Sequence, residues 1–254
     1  MDLAALTLGN VFLLEVLGTM VLIILGGGVV ANQVLGKTKG NSTGWVLITF
    51  GWGFAVFAGV YVAWASGAHL NPAVTLGIAA SGAKTFAAGI PVTATSILVY
   101  IAAQFVGAFI GAVIVFLSYK QHFDATDDQG LKLAVFSTGA EIRHPLWNTL
   151  TEVVGTFILV FWVLISGYTS SGLGPLGVAL IVVAIGMSLG GPTGYAINPA
   201  RDLAPRIAHA VLPIKGKGSS DWGYSWIPVV GPIIGGVLAA VIARSFGLIG
   251  ILPV

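Results

Sequence analysis

The chain contains no cysteine, which excludes disulfide bonds, thiol chemistry and cysteine-ligated metal sites. Its four histidines are scattered along the sequence without the spacing of metal ligands, so we expect neither a metal nor a cofactor. Charge is also scarce. Only 8% of the 254 residues are charged, whereas a soluble domain carries roughly a quarter charged residues. The net charge of +2 is too small to indicate a nucleic acid partner.

Apolar residues take the place of the missing charges. Hydrophobic residues make up 56% of the chain, and the mean hydropathy is +0.97. Several stretches of about 20 residues carry at most one charge, which is long enough to cross a bilayer of about 30 Å. The sequence therefore predicts an all-α membrane protein that forms one domain over residues 1–254. We predict six transmembrane helices, at about residues 11–31, 45–64, 90–117, 147–166, 176–189 and 226–245.

Two Asn-Pro-Ala triplets interrupt these apolar stretches. They are Asn71-Pro72-Ala73 and Asn198-Pro199-Ala200. Asparagine followed by proline is typical of a helix start, because Asn caps the helix and Pro fits its first turn. The apolar piece after the first triplet, 74–80, is too short to cross a bilayer, so we expect a re-entrant half-helix. Irregular backbone at membrane depth is tolerated where it lines a cavity, and two such half-helices therefore predict a pore.

The two halves of the chain repeat one another. Glu-Val-Leu-Gly-Thr at 15–19 matches Glu-Val-Val-Gly-Thr at 152–156, and a Gly-x-x-x-Gly pair at 107–111 matches another at 231–235. With three spans and one half-helix per copy, the second copy must enter from the opposite side of the membrane. We therefore predict an inverted repeat, with copies at about 8–118 and 146–247 joined by a polar loop, 119–145.

Polar residues at membrane depth are the candidates for function. Asn71 and Asn198 would each direct an amide N–H into the lumen, and the two helix N-termini would make that point positive and repel cations. A charge such as Arg201 costs about 2.5–3.5 kcal/mol in an apolar span and is a functional candidate for that reason. Glu15 and Glu152, the acids inside apolar spans, would accept hydrogen bonds from the re-entrant loops. In a transporter, however, they would be proton relays.

The six spans, the duplicated Asn-Pro-Ala and the repeated Glu-x-x-Gly-Thr together resemble the major intrinsic protein family, the aquaporins and glycerol facilitators. The resemblance covers essentially the whole chain. The run at 198–206, Asn-Pro-Ala-Arg-Asp-Leu-Ala-Pro-Arg, is similar to the aquaglyceroporin branch. Thr-Phe-Gly-Trp-Gly at 49–53 looks like the glycerol uptake facilitators of Gram-positive bacteria.

The resemblance implies specific roles for residues along the pore. It implies a selectivity filter of Trp52, Gly186, Tyr195 and Arg201, in which Trp52 and Tyr195 form an apolar corner opposite Arg201. Gly186 stands where water-selective members have histidine, so the constriction is expected to be wide. Asp202 is expected to support the structure near Arg201. The residues expected to line the pore with carbonyl oxygens are Gly67, Ala68, His69, Leu70, Gly194, Tyr195 and Ala196. We expect His69 to be a packed loop residue and not a metal ligand.

We therefore expect a passive channel for glycerol and other small uncharged solutes, with water as a co-permeant and with protons and ions excluded. A channel mainly for water, hydrogen peroxide, urea or neutral lactic acid is an alternative. A coupled secondary transporter, which also uses inverted repeats, would need Glu15 or Glu152 as its titratable group. We predict no enzyme, because no nucleophile–base pair accompanies any motif. The family implies a homotetramer in the lipid bilayer.

Charge and resemblance disagree about orientation. Only Lys84 and Arg244 fall in the loops on the side of the termini. The positive-inside rule would therefore put the termini outside the cell, whereas the resemblance implies a plasma-membrane protein with cytoplasmic termini. We follow the resemblance. The opposing charges, in the loops after spans one, three and five, are Lys37, Lys39, Lys120, Lys132, Arg143, Lys215 and Lys217.

Overall fold

Six long helices form the frame of the protein in a computed structural model that describes residues 6–249. All six are long and apolar enough to cross a membrane. This confirms the predicted fold class, although residues 1–5 and 250–254 of the predicted domain lie outside the described residues. The helices are α1 (Leu8–Val34), α2 (Trp45–Val62), α4 (Ala94–Ser118), α7 (Pro145–Ser166), α8 (Pro175–Thr193) and α10 (Ile227–Ser245).

Two shorter helices begin at the Asn-Pro-Ala triplets. They are α3 (Pro72–Ala80) and α9 (Pro199–Val211), as the triplets predicted. The linking segment 119–145 is not wholly irregular, because it contains α5 (Lys120–Asp124) and α6 (Gln129–Ala134). A single 3-10 turn, Trp64–Ser66, lies between α2 and α3.

Two predicted helix ends were wrong. The third span was predicted from residue 90, but 85–91 form a small antiparallel hairpin of β1 (Thr85–Ala87) and β2 (Ile90–Pro91). The helix α4 starts only after Thr93, which forms a capping box with Ser96. The fifth span was predicted to stop at 189, yet α8 continues to Thr193 and includes Pro192 in its last turn. There the missing proline N–H removes only one hydrogen bond.

Glycines let equivalent helices of the two repeats approach closely. A Cβ added at Gly107 of α4 would lie 2.3 Å from the carbonyl oxygen of Val16 in α1, and one at Gly235 of α10 would lie 2.3 Å from that of Val153 in α7. No real side chain tolerates such a distance, so both positions require glycine. Small residues at helix crossings are typical of packing in membranes. The same contact in both halves fits the inverted repeat.

Candidate functional site

The two half-helices are capped by their own asparagines. The side-chain oxygen of Asn71 accepts a hydrogen bond from the backbone N–H of Ala73 at 2.8 Å. The side-chain oxygen of Asn198 accepts from Ala200 at 3.0 Å and from Arg201 at 3.2 Å. Both triplets therefore act as helix starts, with proline in the first turn.

The same two asparagines tie the repeats together. The amide nitrogen of Asn71 donates to the carbonyl oxygen of Ile197 at 2.8 Å, and that of Asn198 donates to Leu70 at 2.9 Å. Each amide has two N–H groups, and within the described residues 6–249 one of them is used in this contact across the repeat boundary. Ile197 was not among the residues selected from the sequence. Its role depends on the opposite half of the chain, which local sequence does not reveal.

Two cavities meet beside these half-helices. The first, of about 150 Å³, is lined by both asparagines and by six of the seven residues expected to offer carbonyl oxygens; the seventh, Gly194, lines the second. The second cavity measures about 310 Å³. Three residues, Trp52, Tyr195 and Arg201, line both cavities. These three side chains therefore border both cavities, and we call this place the junction of the cavities.

The guanidinium group of Arg201 lies over the ring of Trp52. Its guanidinium carbon lies 3.8 Å from the centre of the Trp52 ring, which is contact distance for a cation–π pair. Trp52 and Arg201 are therefore in direct contact, and the expected filter arrangement stays a prediction. A buried guanidinium has few other partners here, and its Nη1 reaches the carbonyl oxygen of Phe136 only at 3.5 Å. Gly26 of α1 makes room for the indole, because a Cβ there would lie 2.2 Å from the ring.

The open space expected at Gly186 is occupied by Tyr195. A Cβ added at Gly186 would come within 2.7 Å of Cζ of the Tyr195 ring and within 3.0 Å of Cγ2 of Thr49. The Tyr195 ring thus packs against α8 in the space that the side chain of any other residue at position 186 would occupy. Its hydroxyl is buried and makes no hydrogen bond within the described residues 6–249. Gly186 influences the junction of the cavities through Tyr195.

Comparisons with known proteins show which family the chain belongs to. The model of the major intrinsic protein family matches residues 3–243. The chain belongs to the major intrinsic protein family. It is 54% identical over 231 residues to glycerol uptake facilitator protein 3 of Lactiplantibacillus plantarum, covering 90% of this chain and 93% of that one. It is also 54% identical over 234 residues to a probable glycerol uptake facilitator protein of Thermotoga maritima, covering 91% and 97%.

A comparison with solved structures also supports membership of this family. The X-ray structure of the aquaglyceroporin from Plasmodium falciparum superposes with a TM-score of 0.77 at 30% identity, covering 94% of this chain and 96% of that one. Together with the six apolar helices, family membership identifies a multi-pass channel protein of the plasma membrane. Within residues 6–249, no group of three or more potential metal-ligating side chains occurs.

In this major intrinsic protein, one buried glutamate holds each re-entrant loop. Glu15 accepts hydrogen bonds from the backbone N–H groups of His69 at 3.0 Å and Leu70 at 2.8 Å. It also accepts from the hydroxyl of Ser66 at 2.6 Å and the amide of Gln104 at 2.9 Å. The held backbone is strained, since Leu70 has a φ of 53°. Because β-branched and bulky residues rarely adopt such angles, the surrounding hydrogen bonds must maintain them.

Glu152 repeats this arrangement in the second half of the chain. It accepts from the backbone of Ala196 at 3.0 Å, from that of Ile197 at 2.8 Å and from the hydroxyl of Thr193 at 2.8 Å. Here Ile197 has the positive φ, 43°. The two glutamates therefore fix the backbone next to each asparagine.

His69 is packed among aromatic rings. Its ring stacks on Tyr100 with centroids 4.3 Å apart, and it meets Phe86 edge-on at 4.9 Å. Its Nδ1 is 3.0 Å from the hydroxyl oxygen of Thr75. Tyr100 in turn donates a hydrogen bond to the carbonyl oxygen of Ser66. These contacts give His69 a packing environment at the base of the first loop.

Asp202 supports the structure near Arg201 together with Arg206, which was not among the residues selected from the sequence. Its carboxylate accepts from Arg206 at 2.8 and 2.9 Å, and from the N–H and hydroxyl of Thr138, both at 2.7 Å. Arg206, fully buried, also donates to the carbonyl oxygen of Thr138 at 2.8 Å. The pair thus anchors the segment whose Phe136 carbonyl oxygen accepts from Arg201. The i, i+4 spacing of Asp202 and Arg206 on one helix would have allowed this ion pair to be predicted from the sequence.

Proposed function

We propose that this protein is a passive channel for glycerol and other small uncharged solutes, with water as a co-permeant. The observation that carries the proposal is the junction of two cavities at Trp52, Tyr195 and Arg201, where apolar ring surface and guanidinium N–H donors lie side by side. Of the two 54%-identical relatives, one is a glycerol uptake facilitator and the other a probable glycerol uptake facilitator, which supports glycerol as the solute.

We infer that the junction is the selectivity filter. Glycerol has one carbon edge and one edge of hydroxyl groups. Its hydroxyls can accept hydrogen bonds from Arg201 while its carbons contact Trp52 and Tyr195. The filter selects by offering both kinds of contact in exchange for the hydration water that the solute gives up. Gly186 contributes by letting the Tyr195 ring lie against α8.

The first cavity has the same two-sided character. Both hydrophobic and polar residues line it. The hydrophobic residues include Leu22, Val56, Val60, Leu159 and Val182, and the others include both asparagines and residues of the re-entrant loops. A polyol that loses water at the filter can therefore form hydrogen bonds with a polar wall of the cavity while its carbons contact the hydrophobic residues. We propose that Gly67, Ala68, His69, Leu70, Gly194, Tyr195 and Ala196 provide the carbonyl acceptors of that wall.

We infer that cations and protons are excluded electrostatically. Asn71 and Asn198, which cap α3 and α9, line the first cavity together with Arg201. The positive ends of both helix dipoles and the Arg201 charge therefore act on this cavity. The second amide N–H groups of Asn71 and Asn198 also require a passing water to present its oxygen. That orientation interrupts a chain of waters that could relay protons.

The test is paired transport of solute and charge in one preparation. Purified protein in proteoliposomes should accelerate glycerol entry, measured by stopped-flow light scattering, without a proton conductance, measured with a trapped pH dye. Protein-free vesicles are the control, and water, urea, hydrogen peroxide and neutral lactic acid complete the solute panel. Glycerol rates equal to those of empty vesicles would contradict the channel. Rates that respond to a proton or sodium gradient would instead indicate a transporter.

We propose cytoplasmic termini, because many charges that argue otherwise have tertiary partners. Lys120 pairs with Asp124, and Arg143 pairs with Asp221, whose hydrogen bond raises the pKa of Arg143. Lys132 is buried and donates to a backbone carbonyl at 2.6 Å. Charges used in this way contribute to folding of the loops, so a count of them is a poor guide to topology.

Lys217 is the clearest example. Its ammonium group donates to the carbonyl oxygens of His209, Ala210 and Leu212 at 2.8, 2.6 and 2.6 Å. These carbonyls lie at the C-terminal end of α9, where a cation complements the negative end of the helix dipole. Burial lowers the pKa of Lys217.

Orientation can be measured directly because the chain has no cysteine of its own. A single cysteine at the exposed Asp127, in the segment between α5 and α6, should react in intact cells with a membrane-impermeant maleimide. A cysteine at Lys84, which lies on the opposite side, should react only after the cells are opened. The reverse pattern would contradict cytoplasmic termini.

We also propose that the repeats, 8–118 and 146–247, form one channel domain. Members of the main core cluster come from both repeats, including Leu22 and Val74 of the first and Leu159 and Val182 of the second. Apolar side chains exposed on the outer faces of α2 and α7, such as Phe54 and Trp147, would face lipid or neighbouring copies in a homotetramer.

A further inference from the structure

The ring of Tyr195 lies at the junction of the cavities without a polar contact of its own. Its backbone φ is 39°, which is unusual for a residue with a side chain. Its hydroxyl makes no hydrogen bond within residues 6–249. Neither a hydrogen bond nor a relaxed backbone therefore fixes the direction of the ring. Its packing neighbours must do so.

One neighbour is a flat surface on α8. A Cβ added at Gly190 would lie 2.6 Å from Cδ1 of Tyr195, and one at Gly186 would lie 2.7 Å from Cζ. The ring thus lies along the helix from one glycine to the other. This surface stops the ring from moving toward α8, but glycines have no side chain to stop it from sliding along the helix or turning away.

The second neighbour is Trp45, the first residue of α2. Its ring meets the Tyr195 ring edge-on, with centroids 5.9 Å apart and planes at 76°. A Cβ at Gly190 would also lie 2.6 Å from Cζ2 of Trp45, so both rings share the surface at that glycine. Trp45 therefore borders Tyr195 on a side that the glycines leave open.

Trp45 is itself fixed by a hydrogen bond. Its indole N–H donates to the carbonyl oxygen of Gly186 at 2.9 Å. This bond matters because the N-cap of α2, Gly44, makes no side-chain cap and the first turn of a helix tends to fray. The acceptor is the same glycine on which the Tyr195 ring rests. The bond thus fixes the indole relative to the surface that carries Tyr195.

We propose that Trp45 is a positioning residue for solute selection, which holds the Tyr195 ring against Gly186 and Gly190 and so sets the width of the filter. This inference rests on the proposed function of Tyr195 in the filter. Trp45 acts through Tyr195: its edge contact stops the ring from turning into the junction or away from it. Loss of Trp45 should therefore change which solutes pass more than it changes how much protein folds.

The test compares permeability ratios among three variants in proteoliposomes. Trp45→Leu removes the edge contact and the N–H donor, and should raise the permeability of the four-carbon polyol erythritol relative to glycerol by about three- to tenfold. Trp45→Phe keeps an aromatic edge and loses only the donor, so its ratio should lie between those of Trp45→Leu and wild type. Trp147→Leu, at an exposed tryptophan near the start of α7, should leave the ratio unchanged.

Two results would overturn the proposal. One is an unchanged erythritol-to-glycerol ratio in both Trp45 variants. The other is a uniform fall in all permeabilities that tracks the amount of folded protein, since this would indicate a purely structural role. Tyr195→Ala separates this inference from the function on which it rests. If Tyr195→Ala alters the ratio and the Trp45 variants do not, only the positioning role fails. If wild-type protein passes no glycerol, the proposed channel fails.

Discussion

Replacing Glu152 by alanine is expected to prevent most of the protein from accumulating in a folded form. The change leaves the N–H groups of Ala196 and Ile197 and the hydroxyl of Thr193 without their acceptor. Each unpaired buried group costs about 1–3 kcal/mol, and the total is comparable with the whole stability of a typical domain, about 5–15 kcal/mol. The measurement is the fraction of monodisperse protein after detergent extraction and its midpoint of thermal unfolding.

The equivalent change at Glu15 should be somewhat milder. It leaves the N–H groups of His69 and Leu70 unpaired, but Ser66 and Gln104 keep second acceptors in Ala63 and Thr75. An exposed acid, as in Asp127→Ala, serves as the control and should unfold as wild type does. If the Glu15 and Glu152 variants fold normally and lose only a pH-dependent component of uptake, the glutamates are proton relays and the transporter alternative is correct.

Introducing histidine at Gly186 is expected to lower glycerol permeability at least about tenfold, and to do so more than it lowers water permeability. Even a Cβ at this position would lie 2.7 Å from the Tyr195 ring, so the imidazole must push that ring into the junction of the cavities. Overpacking of this kind costs about 1–3 kcal/mol, and about 1.4 kcal/mol corresponds to tenfold. The narrowed junction then excludes a three-carbon polyol by size, whereas water molecules in single file can still pass.

The structure allows a sharper test than the single change. In Gly186→His combined with Tyr195→Ala, the imidazole takes the volume of the missing ring, so water permeability should recover well above that of the single variant. Gly191→Ala is the matched control on the same helix, because a Cβ there meets no described atom within 4 Å. Swelling and shrinking rates on the same vesicles give the glycerol-to-water ratio. An unchanged ratio in Gly186→His would mean that position 186 does not influence the constriction.

The sequence alone was sufficient for the elements that depend on local chemistry and on length. The positions of α3 and α9 follow from Asn71-Pro72 and Asn198-Pro199, because capping and a fixed proline φ are properties of adjacent residues. The six spans follow from apolar stretches long enough for a bilayer. The inverted repeat follows from an odd number of spans per copy. None of these conclusions requires knowledge of which residues meet in space.

Tertiary structure decided how the site is assembled. The sequence marked Trp52, Gly186, Tyr195 and Arg201, yet it could not tell that Arg201 lies over the ring of Trp52 or that Tyr195 covers Gly186. The direction of a side chain depends on neighbours far away in the chain, such as Gly26 beside Trp52.

The same reason explains the residues that the sequence did not reveal. Ile197 accepts from Asn71 across the repeat boundary, and Trp45 donates to Gly186 from another helix. Arg206 holds Thr138 in place from 68 residues away in the chain. A hydrogen bond needs two groups within about 3 Å of each other in space. The sequence gives only the number of residues between the two groups, which does not fix their distance in space. The motifs determine which helices form, and the packing of those helices determines which side chains meet at the pore.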